Sequence, residues 1–178
     1  MINLASAGLV AAPESRRWVL RGHAVAMAAA GAAFGSPLPT RAGEVAQAAS
    51  SIADTARAAL WLGPDEVWFI TPVEDGAALE GALRTALAAV PHALVDISHR
   101  QVGLLLQGTD PAWLLNAVCP LDLSLAAFPV NCCTRTLFNK AEIVLWRTGP
   151  AAFRLETGRS FSGYVVGLLA EIAREQAA

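Results

Sequence analysis

Charge is scarce in this sequence. Asp, Glu, Lys and Arg make up 16% of its 178 residues, against about 25% in a typical soluble domain. The net charge is -2 and no dense Lys or Arg run occurs, which excludes the electrostatic footprint of nucleic-acid binding. Cysteine is also scarce. Cys119, Cys132 and Cys133 are an odd set with two adjacent members, so no disulfide framework is readable, and a reducing, cytoplasmic setting fits them best. No glycine-rich phosphate loop follows a strand: Gly76 and Gly81 do not form G-x-G-x-x-G, and G-K-S/T is missing. His23, His92 and His99 lie far apart and near no C-x₂₋₄-C pair, so the pattern offers no zinc site. Long apolar runs are missing too. Arg16 and Arg17 before Trp18-Val19-Leu20 imitate a secretion signal, but Arg21 and His23 interrupt the run. What remains, Ala24 to Phe34, is about half a membrane span. It reads as an internal helix, and no transmembrane segment is expected.

What the sequence has in plenty is apolar surface. Hydrophobic residues reach 54%, above the usual range of about 45–50%. Much of the surplus is alanine, which fills helices at little cost. The rest exceeds what one core of this size can hide, so part of it is expected to face a partner.

Residues 1–15 read as a loose, flexible leader, and 16–178 as a single domain. Within it, Trp18 to Arg21 reads as a strand, His23 to Ala33 as a helix, and Gly35 to Pro39 as its break. Ala42 to Ser51 reads as loop. Ala58 to Leu62 and Val67 to Ile70 flank Gly63-Pro64-Asp65-Glu66, a hairpin signal. Asp75 to Val90 carries Leu79, Leu83, Leu87 and Val90 at helical spacing. Ala93 to Ile97 and Val102 to Leu106 read as strands forming an extra hairpin. Asp110 before Pro111 opens a short helix. Arg135 to Phe138, Glu142 to Arg147 and Ala152 to Glu156 are strands, and Ser160 to Glu175 is a closing helix. The halves correspond: Gly22 with Gly108, Trp61 with Trp146, Gly63-Pro64 with Gly149-Pro150, Trp68 with Phe153. The expected fold is therefore α+β, with duplicated ferredoxin-like strand-helix-hairpin-helix units sharing one core.

Two polar islands stand between apolar strands. In Asp96-Ile97-Ser98-His99-Arg100-Gln101, the side chains either satisfy the backbone of a tight turn or form a contact loop for a partner or ligand. Asn131 to Arg135 is the second island and holds Cys133 and Arg135. Nucleophilic catalysis needs a Ser or Cys beside a base, and no such arrangement is legible. Ser98, His99, Arg100, Gln101, Cys133 and Arg135 are therefore candidate partner contacts, with no catalytic, cofactor or metal residue assigned.

Leu60-Trp61-Leu62-Gly63-Pro64-Asp65-Glu66-Val67-Trp68 resembles the gamma subunit of bacterial heterotetrameric sarcosine oxidase. Val95 to Gln101, Cys119-Pro120-Leu121-Asp122-Leu123, Ala127 to Val130 and Thr134 to Arg147 continue the resemblance in order, over roughly 17–175. That family is similar in turn to the folate-binding domain of the glycine cleavage aminomethyltransferase, through Asp96-x-Ser98-His99 and Gly108-x-Asp110. One departure matters. Where aminomethyltransferases carry paired aspartates entering a strand, the stretch here is Asn139-Lys140-Ala141-Glu142. Losing that carboxylate removes the group that could assist proton chemistry at folate nitrogen. The resemblance implies a non-catalytic subunit packed on an alpha subunit, with beta and delta subunits completing the assembly. The complex would oxidise sarcosine to glycine and pass the one-carbon unit to tetrahydrofolate or release formaldehyde. FAD, FMN, NAD, tetrahydrofolate and zinc would sit on partner subunits and none on this chain. The alternative is a free-standing folate-binding protein that uses Glu142 or Asp96 as its carboxylate.

Overall fold

The structure is a computed structural model and describes residues 8–51 and 56–176. The chain divides into two compact units, one spanning Pro13–His99 and one running from Arg100 onward together with the first strand. Each has its own hydrophobic core, where the sequence suggested a single shared one. The expected leader is also partly corrected. Leu9–Ala11 form strand β1, paired antiparallel with residues 104–106, because Leu9 buries all but 1% of its surface in the second core. Residues 1–7 of that leader lie outside the described residues.

The first unit runs β2 (Ser15–Gly22), α1 (Ala24–Phe34), β3 (Val45–Ala49), β4 (Ala56–Gly63), β5 (Glu66–Pro72), α2 (Val73–Leu87) and β6 (His92–Asp96). Its antiparallel sheet has the order β3-β4-β5-β2-β6. Alternation turns Trp18 and Leu20 of β2 and Val67 and Phe69 of β5 to one face, where they join Phe34 of α1 and Leu79, Leu83 and Leu87 of α2. Those leucines stand four apart, which stacks them on one helix side. Each is fully buried. Burying a leucine contributes about 1.5–3 kcal/mol. The Phe34 and Phe69 rings lie 5.5 Å apart and tilted, in the favoured aromatic range.

Two glycines set this packing. Gly35 takes φ 96°, a left-handed cap open to glycine at little cost, and the Gly35 and Ser36 amides donate to the Gly31 carbonyl. At Gly76 a Cβ would stand 2.5 Å from Arg16 Cγ, so only glycine lets α2 approach β2 this closely. β3 is a strand where the sequence suggested loop. Its small, half-exposed residues carry little intrinsic strand signal, and the ladder to β4 decides the outcome.

The second unit runs β7 (Gln101–Gln107), α3 (Pro111–Asn116), β8 (Cys133–Phe138), β9 (Ala141–Gly149), β10 (Ala152–Gly158) and α4 (Arg159–Gln176), with the order β8-β9-β10-β7-β1. Leu104, Leu106, Ile143, Leu145, Phe153 and Leu155 face Leu115, Val165 and Leu169 of the helices. Asp110 caps α3 by accepting the Trp113 amide at 3.1 Å, with Pro111 in the first turn, as its sequence suggests. The expected hairpin over residues 93–106 does not form. β6 pairs with β2, and β7 pairs with β10 and β1. The paired positions noted in the sequence fall at like places: Trp61 on β4 and Trp146 on β9, each glycine-proline in the turn that follows, Trp68 on β5 and Phe153 on β10.

Candidate partner interface

The turn after β6 spends most of its polar groups on its own backbone. Asp96 Oδ1 accepts the Ser98 amide at 2.8 Å. The Ile97 amide donates to the Arg17 carbonyl at 2.9 Å, and Ser98 Oγ accepts the Arg17 amide at 2.9 Å. A side-chain oxygen thereby prolongs the β2–β6 ladder past its last strand residue. Arg16 Nη2 donates to Asp96 Oδ2 at 2.6 Å, and its guanidinium lies 5.6 Å from the centre of the Trp18 ring. Burial pushes the Asp96 carboxyl up, but Ser98 hydrogen bonds and the charges of Arg16 and His99 outweigh it, leaving the carboxyl below its ordinary value. Of the candidate contacts here, Ser98 is half-buried and structural, while His99 is exposed. Val95 beside them on β6 is 53% exposed.

The second unit separates its candidates. Arg100 is exposed and its carbonyl accepts the Arg159 amide at 2.9 Å. Gln101 begins β7 opposite Gly158 and is half-buried. Arg135 lies on the edge strand β8, 3.8 Å from Glu142. β10 and β9 stand between β7 and β8, so the Gln101 and Arg135 side chains do not meet. Cys133 is wholly buried. On β8 it shares a face with Arg135 and Leu137, opposite the face by which Phe138 joins the second core. Cys132 is half-buried; burial raises its thiol and neighbouring Arg147 opposes that.

Arg147 is itself 2% exposed. It donates to the Pro150 carbonyl at 2.5 Å and to the Leu123 carbonyl, and it stacks 4.3 Å from the Phe153 ring centre. It fastens the irregular stretch between α3 and β8 to the β9–β10 turn. Burial lowers its pKa. The stretch Asn139 to Glu142 covers the two-residue β8–β9 turn and the start of β9, with Asn139 at φ 51° and Glu142 at 72% side-chain exposure. The carboxylate left there points to solvent, while its neighbours Ala141 and Ile143 face the core.

One feature escaped the sequence reading. Beside α1 lies an apolar cleft of about 780 Å³, lined by α1, the Gly35–Thr40 loop and the β4–β5 hairpin. The sequence signal was the eleven-residue stretch of α1, which carries no charged or polar side chain. Among the described residues no group of three His, Cys, Asp or Glu could hold a metal, and no helix is long and apolar enough to cross a membrane.

Two antiparallel sheets, each packed with its own helices, define an α+β chain. The sequence matches the Sarcosine oxidase, gamma subunit family over residues 21–175, and the chain belongs to that family. It is 36% identical over 168 residues to the sarcosine oxidase subunit gamma of Corynebacterium sp. (strain U-96), covering 94% of this chain and 74% of the relative. The Arthrobacter sp. subunit gamma is 36% identical over 148 residues, covering 83% and 70%. A chain of the heterotetrameric sarcosine oxidase from Corynebacterium sp. U-96, solved with pyrrole 2-carboxylate, superposes with TM-score 0.86 at 32% identity, over 96% of this chain and 85% of that one. Aminomethyltransferase T from Bartonella henselae shares the fold at TM-score 0.70 and 12% identity, over 93% of this chain and 47% of that one.

Proposed function

We propose that the chain serves as the gamma subunit of a heterotetrameric sarcosine oxidase and contributes structure rather than chemistry. The observation that carries this is the superposition over 96% of the chain on a member of such a complex. Its place is on the alpha subunit, in an assembly completed by beta and delta subunits and working in the cytoplasm. The complex oxidises sarcosine to glycine and passes the one-carbon unit to tetrahydrofolate or releases it as formaldehyde. FAD, FMN, NAD, tetrahydrofolate and zinc sit on the other subunits. The outward position of Glu142 and the sequence Asn139-Lys140-Ala141 at the β8–β9 turn support a non-catalytic role. His99, Arg100 and Arg135 are its exposed polar contacts, with Ser98 holding the backbone of the turn that leads to His99.

The two units read best as versions of one ferredoxin-like strand-helix-hairpin-helix pattern. Their strand orders support this, since β8-β9-β10-β7-β1 repeats β3-β4-β5-β2-β6 position by position. The test of function is titration of the chain with folate, followed by tryptophan fluorescence. A structural subunit shows no saturable change below about millimolar folate, the weakest affinity on the usual scale. Tight binding with turnover of a methylamine by the chain alone would establish the free-standing folate protein instead.

A further inference from the structure

We infer that the edge of β7 is a binding site for an extended Gly-Leu segment, and that the chain fills it with its own residues 8–12 as a separable strap. A difference between the two units points to this. In the first, the fifth strand of the sheet, β6, follows α2 in the chain and pairs with β2. In the second, the fifth place in the order, beside β7, is held by β1, which precedes the whole first unit in the sequence. The second unit therefore borrows the strand that completes its sheet. Only Pro13 and Glu14 join that strand to β2.

The contacts give the site its selectivity. The Gln107 amide donates to the Gly8 carbonyl at 2.9 Å, and the Ala12 amide to the Gly103 carbonyl at 2.9 Å. Between them Leu9, Val10 and Ala11 stand opposite Leu106, Leu105 and Leu104. Main-chain bonds of this kind accept any strand, and the fit of alternate side chains chooses among strands. Two positions choose here. Gly8 sits at φ 64°, and a Cβ on it would stand 1.5 Å from the Gln107 carbonyl oxygen, so glycine alone fits. Leu9 is 1% exposed and belongs to the second core. Val10 and Ala11 are exposed and place no demand. Pro13, with no N–H to donate, ends the pairing. One buried side chain and a short edge ladder hold β1, and an element held so lightly opens locally before the whole molecule unfolds.

The test uses the full chain with a protease recognition sequence inserted between Pro13 and Glu14, two exposed residues, and cut under native conditions. The cut segment is predicted to stay with the protein through gel filtration and to be displaced by excess synthetic peptide covering residues 1–13. The peptide carrying Gly8→Val, and the one carrying Leu9→Asp, are each predicted to compete roughly tenfold less well or worse, while Val10→Ser competes as the unsubstituted peptide does. In the uncut chain, Gly8→Val is predicted to speed hydrogen exchange across residues 103–107 by roughly tenfold or more, with residues 13–99 keeping their protection. Equal competition by the Gly8→Val peptide overturns the inference. So does release of the cut segment with no change in exchange at β7, or loss of protection in both units when it leaves. A chain that resists cutting is judged by the exchange measurement, where unchanged protection at residues 103–107 overturns the inference.

Discussion

At the scale of single residues, a dense cluster of polar contacts is buried around Asp75. Its carboxylate has no exposure and accepts from Arg57 Nε at 2.5 Å, Arg57 Nη2 at 2.8 Å and Thr71 Oγ1 at 2.8 Å, with Ser51 completing the set. The Arg57 hydrogen bonds hold the carboxyl far below the ordinary carboxylate range, against the opposing effect of burial. A carboxyl depressed in the folded state stabilises fully above its unfolded pKa, about 3.9, and that stability drains as pH falls toward the folded value. Asp75→Asn is expected to cost about 3–5 kcal/mol at neutral pH, since it leaves Arg57 without its partner. It should also flatten the loss of stability between about pH 5 and pH 2. Urea unfolding of both proteins across that range checks the sign and the window.

Residue-level reasoning from the sequence reached the polar turn but could not divide its labour. Asp96 pairs with Arg16 and Ser98 with the Arg17 backbone, partners 80 and 81 positions away, and spacing alone cannot show that. Cys133 was misplaced for a related reason. Alternation along β8 puts it on the side of the exposed Arg135 and Leu137, and its burial comes with its pairing to the buried Trp146 of β9, which spacing alone does not show.

At the scale of elements, α2 offers two glycines with opposite roles. Gly76→Ala places a Cβ 2.5 Å from Arg16 Cγ, and a cost of about 1–3 kcal/mol is expected from this overpacking. At Gly81 a Cβ meets nothing within 4 Å, so Gly81→Ala should stabilise by up to about 1 kcal/mol through helix propensity alone. Thermal melts of the two variants should therefore move in opposite directions; shifts of the same sign would contradict the packing described. Asp110→Ala should cost about 1 kcal/mol by removing the α3 cap, measured the same way. The helices and most strands were legible because their apolar spacing and turn residues agree. β1 and β3 were not. Leu9 to Ala11 is too short to show a period, and β3 is held by its neighbour's ladder. The division of β6 and β7 between two sheets was hidden too, because two strands joined by a short turn look like a hairpin until their partners are known.

At the scale of the whole molecule, the excess of apolar residues and the apolar outer face of α1 describe one property. The chain buries two cores and still leaves Val25, Val95, Trp113 and Phe161 at 46% exposure or more. The family places the chain in an assembly. Composition made a partner legible, but the cleft was not, since its walls come from α1, the loop after it and the β4–β5 hairpin. The central claim is that this chain acts as one subunit of a larger oxidase. The most direct measurement is native mass spectrometry of the tagged chain purified gently with its co-expressed partners. The account predicts a flavin-containing complex of four different chains, one of them this protein. A chain recovered alone, colourless and at its own 18.6 kDa would contradict it.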